Sequence, residues 1–454
     1  MKHHFAAFAL LSVLHFSFAS LFAAPLLDAD SVQHPEPEDR HVKTGLTFGA
    51  LPAVAYDTDI GFKYGLLANF YLFGDGATYP KYLHSFFMEW NRTTKGSGLM
   101  QFVYDSEFLI PDMRLTAEAT YFTEQALDFY GFNGYQARYN PDFETPGSQL
   151  YRSRMFYRHE RKMLRLRSDF QGNIVGKKLR WMAGYEHNMF RIGTVDVDKL
   201  NKGKAEKDRL PETPLLYDKY VEWGVIKDDE KDGGSHNLLK FGLVYDTRDN
   251  EPNPMIGVWS EVMLIAAPAF MGNKPAYARL AVIHRQYFTL VDEVLNLAVR
   301  LGYQPKIGGT IPFYALPYAY STNLTRDGLG GARTMRGILR NRVVGEDIFY
   351  GNAELRWKFF RTIIGKQHVY FALTGGTDFG RVTGEYDFWK NFATANAERD
   401  EWFANPDKER MHISYGGGIS GALNHNFVAH VNYGRAVDSR DGKSGLYIGL
   451  NYLF

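Results

Sequence analysis

The sequence contains no cysteine, which excludes a disulfide framework, a thiol nucleophile and a cysteine-ligated metal. It also has no excess of one charge. Lys plus Arg number 52 and Asp plus Glu 51, so a formal net charge of +1 gives no electrostatic reason to expect nucleic acid or another polyanion as partner. Beyond the first two dozen residues, no run approaches the roughly 18 continuous apolar residues of a membrane-crossing helix. A membrane form of this chain must therefore cross as a barrel, the other structure that satisfies every backbone hydrogen bond internally. Gly-x-Ser-x-Gly, Gly-x-x-x-x-Gly-Lys-Ser/Thr and His-Glu-x-x-His are all missing. No catalytic residue, metal or cofactor is expected, and Asp228–Asp229–Glu230 reads as a solvated loop. An outer-membrane phospholipase would need a serine and a histidine paired on the outer face of a barrel. His284, His412 and His430 lie in strand-like segments, but the sequence pairs no serine with any of them, and they read as lumen-facing or interfacial side chains.

Aromatics and glycine are abundant: 34 Phe, 29 Tyr and 44 Gly among 454 residues, a mixture suited to aromatic girdles and curved strands. Lys2, His3 and His4 precede an apolar run from Phe5 to Phe18 and small residues around Ala19 to Ala24. That order is the pattern of a secretory signal peptide, and cleavage after Ala19 or after Ala23 both fit. The expected organisation is a signal peptide over 1–23, a polar, Pro-bearing disordered periplasmic lead over 24–42, and a barrel over 43–454.

From Lys43 onward the dominant signal is period-2 alternation broken by turns. Leu295, Leu297, Val299, Leu301 and Tyr303 share one face, while Asn296, Ala298, Arg300 and Gly302 share the other. Ala353, Leu355, Trp357 and Phe359 likewise oppose Asn352, Glu354, Arg356 and Lys358, and 239–246, 368–380 and 426–433 repeat the pattern. A soluble antiparallel sandwich would alternate too. The secretion signal, the charged character of the polar face and the loop asymmetry favour a membrane barrel. Short turns at Thr362–Gln367 and Asn424–Asn426 alternate with long loops near 124–149, 193–235, 306–341 and 383–410. The fold expected is all-β, a transmembrane antiparallel barrel of about sixteen strands, each taking roughly 9–11 residues plus a loop.

The final residues, GLYIGLNYLF, put Leu446, Ile448, Leu450, Tyr452 and Phe454 on one face. A terminal strand ending in phenylalanine resembles the signal read by bacterial outer-membrane assembly machinery, with Leu450, Tyr452 and Phe454 as its main residues; an unpaired alternating strand can add to an exposed sheet edge.

Two further stretches carry a more specific resemblance. One is FGLVYDTRDNEPNPMIGVWSEV, Phe241 to Val262. The other is GGARTMRGILRNRVVGEDIFYGNAELRWKFF, Gly330 to Phe360, followed by Thr377–Val382 (TDFGRV). In this order they resemble the BamA/TamA family, the bacterial surface antigens, specifically over about 236–454. The resemblance implies an extracellular loop folded into the lumen with a Val-Arg-Gly-Phe/Tyr motif at its tip, matched here by Met335, Arg336, Gly337 and Ile338. It also implies a partner Asp two residues before a Gly, matched by Asp378 and Gly380. Glu354 and Arg356, inward on the preceding strand, are placed to complete the network. Arg336 would fork onto a carboxylate, and Gly337 would let the backbone approach the wall. Ile338 departs from the family aromatic. The 24–42 lead is too short for a periplasmic POTRA domain, through which family members receive substrates.

The resemblance implies a barrel that aids insertion or translocation of proteins, or lipid, at the outer membrane of a Gram-negative cell. The expected partners are outer-membrane lipid, the barrel-assembly machinery during biogenesis, and a periplasmic or lipoprotein partner in place of POTRA domains. A passive solute channel or a surface-exposed structural barrel is the alternative.

Overall fold

The computed structural model describes residues 42–454 except 58–60, 80, 252, 323–326, 365–366, 388–407, 424–426 and 451. The signal-peptide segment, almost all of the lead and the turn at Asn424–Asn426 lie outside the described residues, as does most of the 383–410 loop. In the unit Thr44–Phe454, the strands are β1 Leu46–Asp57, β2 Gly61–Leu72, β3 His84–Thr93, β4 Gly98–Ile110, β5 Met113–Asp128, β6 Arg158–Val175, β7 Leu179–Gly193 and β8 Gly233–Asp246. They continue with β9 Gly257–Ala267, β10 Tyr277–Val291, β11 Leu295–Gln304, β12 Asp347–Ile364, β13 Gln367–Gly384, β14 His412–Leu423, β15 Phe427–Ala436 and β16 Ser444–Leu450. Pro305, which has no N–H to give a ladder, ends β11, and a short segment Lys306–Gly309 resumes pairing with β10.

Each strand pairs antiparallel with the next in sequence, from β1–β2 through to β15–β16. Among the described residues no ladder joins β1 to β16. The strands roll into a barrel whose faces are inverted relative to a soluble protein. Trp357, Leu373, Ile419, Val431 and Ile448 form one cross-strand row and are all exposed, Ile448 to 79%. The alternate positions Asn352, Glu354 and Arg356 are buried, Arg356 to 1% exposure. A sandwich would bury the apolar face; here that face is the one left outside, for lipid to cover.

The connections divide by length. At one end they are tight, as at 111–112, 176–178 and 292–294; at the other lie 129–157, 194–232 and 310–346. The first long loop starts and ends several residues later than the sequence pattern suggests, because β5 runs on to Asp128. Of the turn expected over Thr362–Gln367, the described residues Thr362–Ile364 and Gln367 belong instead to the β12–β13 ladder. Long loops mark the extracellular end. There they bury a cluster of rings: Phe129 meets Tyr220 at 5.1 Å between centroids, Phe132 meets Tyr386 at 4.7 Å, and Phe190 meets Tyr314 at 5.1 Å. Edge-on and tilted pairs of this kind contribute about 0.5–1.5 kcal/mol each beyond burial. Two short helices, α1 Val197–Asn201 and α2 Leu216–Glu222, help cover the cap. Glu230 belongs to it as well. Its carboxylate accepts the Phe313 N–H at 3.0 Å and is buried, while Asp228 stays in solvent, so only part of the acidic run is a solvated surface.

The exposed apolar row yields a test. Ile419→Arg places a cation on the lipid face, at a cost of about 2–4 kcal/mol near the bilayer midplane. A urea titration of the barrel folded into vesicles should show that loss; an unchanged midpoint would mean Ile419 does not face lipid.

Candidate functional site

The site is built by the loop at 310–346, which leaves β11, turns back on itself inside the barrel and rejoins the wall at β12. Antiparallel bridges Leu329↔Val343 and Gly331↔Met335 fold it into a narrow finger. The Thr334 hydroxyl stitches the turn, accepting from Gly330 N at 2.9 Å and donating to the Gly328 carbonyl at 3.0 Å. The fingertip is Met335, Arg336, Gly337 and Ile338.

Arg336 meets Asp378 as a fork. Nε donates to Oδ2 at 3.0 Å, Nη2 to Oδ1 at 3.1 Å, and its own backbone N–H adds a third bond to Oδ2 at 2.9 Å. The remaining Nη1 reaches Glu354 Oε2 at 2.7 Å. Glu354 turns its other oxygen to Arg356 Nε at 2.8 Å. Two guanidiniums and two carboxylates thus alternate in one buried chain, the arrangement that lets charges persist away from water. Arg–carboxylate forks are geometrically specific as well as strong.

The glycines have separate tasks. Gly337 has φ of 89°, and a Cβ there would lie 2.5 Å from Arg435 N, so the tip rests directly on the β15 backbone. Its N–H donates to the Tyr447 hydroxyl of β16 at 2.9 Å. Gly380 makes room for the finger, since a Cβ there would sit 2.8 Å from Met335 Sδ. Ile338, where the family resemblance has an aromatic, is fully buried with Met335, Val343, Tyr350, Val382 and Ala436. An aliphatic side chain fills the space there, and the tip is seated in the wall.

Four groups escaped the sequence reading. Asn352 donates to Asp378 Oδ1 at 2.8 Å and to the Thr334 carbonyl at 2.7 Å. Arg300 donates to Asn352 Oδ1 at 2.7 Å and to the Arg333 carbonyl at 3.1 Å. Tyr447 and Gly434 form the floor under the tip. Alternation already set Asn352 and Arg300 inward beside Glu354, and that is the signal that could have found them.

The C-terminal residues differ from expectation. β16 ends at Leu450, which pairs with Ala429, and the last residues do not continue on the outer face with Leu446 and Ile448. Phe454 is buried in the lumen against Tyr287 and Ala298. Arg356 explains the turn inward. Its Nη2 donates to Phe454 O at 2.9 Å, and its guanidinium lies 4.2 Å from the Tyr452 ring centroid. The ion chain of the plug therefore ends on Phe454.

The histidines also resolve. His412, at the extracellular end of β14, is fully buried, stacks on Tyr135 at 3.9 Å and holds Asp441 Oδ1 at 2.6 Å from Nδ1. His430 is half-buried on the inward side of β15. His284 faces outward, and the sequence reading missed its partner: the β9–β10 register sets Ser260 opposite, with Oγ 2.8 Å from Nδ1. Two strands had to be aligned before that pair could be seen.

Arg336→Ala leaves Asp378 and Glu354 charged without their fork, a loss of about 3–5 kcal/mol for a broken buried pair. The expected outcome in planar-bilayer recording is larger or less stable current than wild type. Arg336→Lys, which supplies no fork, should recover only part of the difference. Gly337→Ala should act in the same direction with no change of charge, because of its contact with Arg435 N. Unchanged conductance and unchanged heat-modifiable migration for Arg336→Ala and Gly337→Ala would exclude a plug held at this tip.

The family model for the Omp85 superfamily domain matches residues 92–453. Among solved structures, BamA from Haemophilus ducreyi lacking POTRA domains 1–3 superposes with a TM-score of 0.51 at 15% identity, over 90% of this chain and 70% of that one. CdiB from Escherichia coli gives 0.51 at 10% identity, over 90% of this chain and 62% of that one, so this chain spans less than two thirds of CdiB. At such identity the likeness is one of fold. No curated protein sequence matches significantly. The matched span covers most of the chain, which belongs to the Omp85 superfamily, the non-enzymatic barrels of the Gram-negative outer membrane that serve protein insertion or translocation.

Proposed function

We propose that this barrel helps insert or move other proteins, or lipid, at the outer membrane, and that a separate periplasmic or lipoprotein partner delivers them. The observation that carries the reading is where the plug rests. Its tip presses on Gly434 of β15 and bonds to Tyr447 of β16, beside the one boundary without a ladder among the described residues. A finger that fills the lumen and leans on the closing strands is of no use to a diffusion pore. It suits a barrel in which the state of the interior and the state of the wall are linked. The ion chain from Arg336 through Glu354 and Arg356 to Phe454 supports the same reading, since the segment that follows β16 is tied to the plug. Leu450, Tyr452 and Phe454 would serve assembly machinery as a recognition signal before that segment turns inward. The lumen residues act by holding and releasing; no bond chemistry is assigned to them.

Depletion of the protein followed by quantitative proteomics of the outer membrane tests this. A defined set of barrels or exported proteins should fall by severalfold while their transcripts hold steady. An unchanged outer-membrane proteome and lipid composition would remove the insertion reading and leave a channel or structural barrel.

A further inference from the structure

Hydrogen-bonding side chains that no lumen function uses interrupt the apolar outer wall on β9 and β10, as His84 with Tyr104 and His187 and Tyr185 with Asn237 do elsewhere on it. On β10 the outward residues run Leu280, Val282, His284, Gln286, Phe288 and Leu290, so His284 and Gln286 stand within the belt with apolar residues on both sides along the strand. Ser260 lies directly opposite His284 on β9, and Tyr245 lies opposite Ser260 on β8. The surroundings are exposed and apolar: Leu243, Val262, Phe288 and Leu301 each show about two fifths or more of their surface. Polar groups set into a lipid-facing wall are costly unless they find partners, so they mark function more often than accident.

Here the protein supplies partners for only part of the set. Ser260 and His284 share one hydrogen bond of 2.8 Å. If serine donates to Nδ1, the imidazole N–H at Nε2 is left over; if Nδ1–H donates to serine, the hydroxyl proton is left over. Either tautomer leaves one donor without a protein acceptor among the described residues. Gln286 spends one amide proton on the Gly257 carbonyl at 3.3 Å and keeps the other. Two donors therefore face a medium of hydrocarbon. The component of that medium that brings acceptors and few donors is a glycerophospholipid, through its ester carbonyl and phosphate oxygens.

We propose that Ser260, His284 and Gln286 form a binding notch for one glycerophospholipid, gripped at its ester–phosphate region with its acyl chains along the apolar residues of β9 and β10. The notch lies far around the wall from the boundary between β1 and β16, so it is separate from the plug and from any movement of the closing strands. A lipid seated there has its headgroup region drawn toward the bilayer interior on that side.

The test is native mass spectrometry of the whole barrel released from nanodiscs of phosphatidylethanolamine and phosphatidylglycerol. Wild type should carry one retained phospholipid. The Ser260→Val/His284→Leu/Gln286→Leu variant should carry about tenfold less, the loss expected for two hydrogen bonds of roughly 0.7 kcal/mol each. All three substitutions make the belt more apolar, so heat-modifiable folding should be kept and confirms that the comparison is between folded barrels. Equal lipid retention in the two proteins overturns the proposal. So does a wild-type dimer that the variant lacks, which would assign the notch to a second copy of the chain.

Discussion

Arg336 brings a full positive charge to the tip of a loop inside the barrel, and the side chains around it are arranged to keep it there. A guanidinium taken out of water is tolerated only where its donors meet acceptors of opposite charge. Asp378 accepts four hydrogen bonds, three from Arg336 and one from Asn352. Glu354 takes the remaining arm. Because the partners of Arg336 sit on β12 and β13 while Gly337 rests on β15 and β16, two neighbouring residues fix the loop against strands on both sides. Such a pair contributes geometry more reliably than net stability, and geometry is what a plug requires.

The finger is also tied from above. Arg342 donates to the Gly134 and Ala137 carbonyls at 2.7 and 3.0 Å, and Leu339 N donates to Asp441 O at 2.9 Å. Asp441 is the residue that His412 and Tyr135 hold; Tyr135 donates its hydroxyl to Oδ2 at 2.5 Å. Arg340 adds Asp327 and Glu124 on the other flank. The plug, the loop at 129–157 and the connection between β15 and β16 thus share buried polar contacts. Withdrawing the tip would strand several buried groups at once, which is costly in a low-dielectric interior.

How much of this was legible in the sequence follows from the range of each signal. Alternation is local, so the two faces of β11 and β12 and the inward placement of Glu354, Arg356 and Asp378 could be read directly. The MRGI tip and the DFG strand could be matched as short strings. Contacts between distant elements could not. Ser260 and His284 are 24 residues apart and meet only through the β9–β10 register. Tyr447 and Gly337 are 110 apart and meet only because the loop crosses the lumen. The C-terminal segment misled for a related reason. Its period-2 pattern continues to Phe454, but Arg356 has an unspent donor and a surface for rings, and the tertiary contact overrides the local pattern.

The contrast between the two walls bears on what the barrel can do. Around the tip, polar groups are matched by polar groups and the arrangement is specific. Outside, most side chains are apolar, as contact with lipid requires, and polar groups such as Ser260 and His284 are set among them. Specific contacts of the inner kind are what can hold a loop inside the barrel. The tip provides them: a fork on Asp378, a backbone approach at Gly434 and a single hydroxyl from Tyr447. The hydroxyl belongs to a strand with few other bonds to lose, since β16 pairs over only seven residues with β15 and has no described ladder on its other side. Under the proposed function, displacing the finger would remove support from β16, and loosening β16 would remove the floor beneath the finger. On that proposal, coupling in one direction would entail coupling in the other, which a passive pore with a fixed constriction would not have.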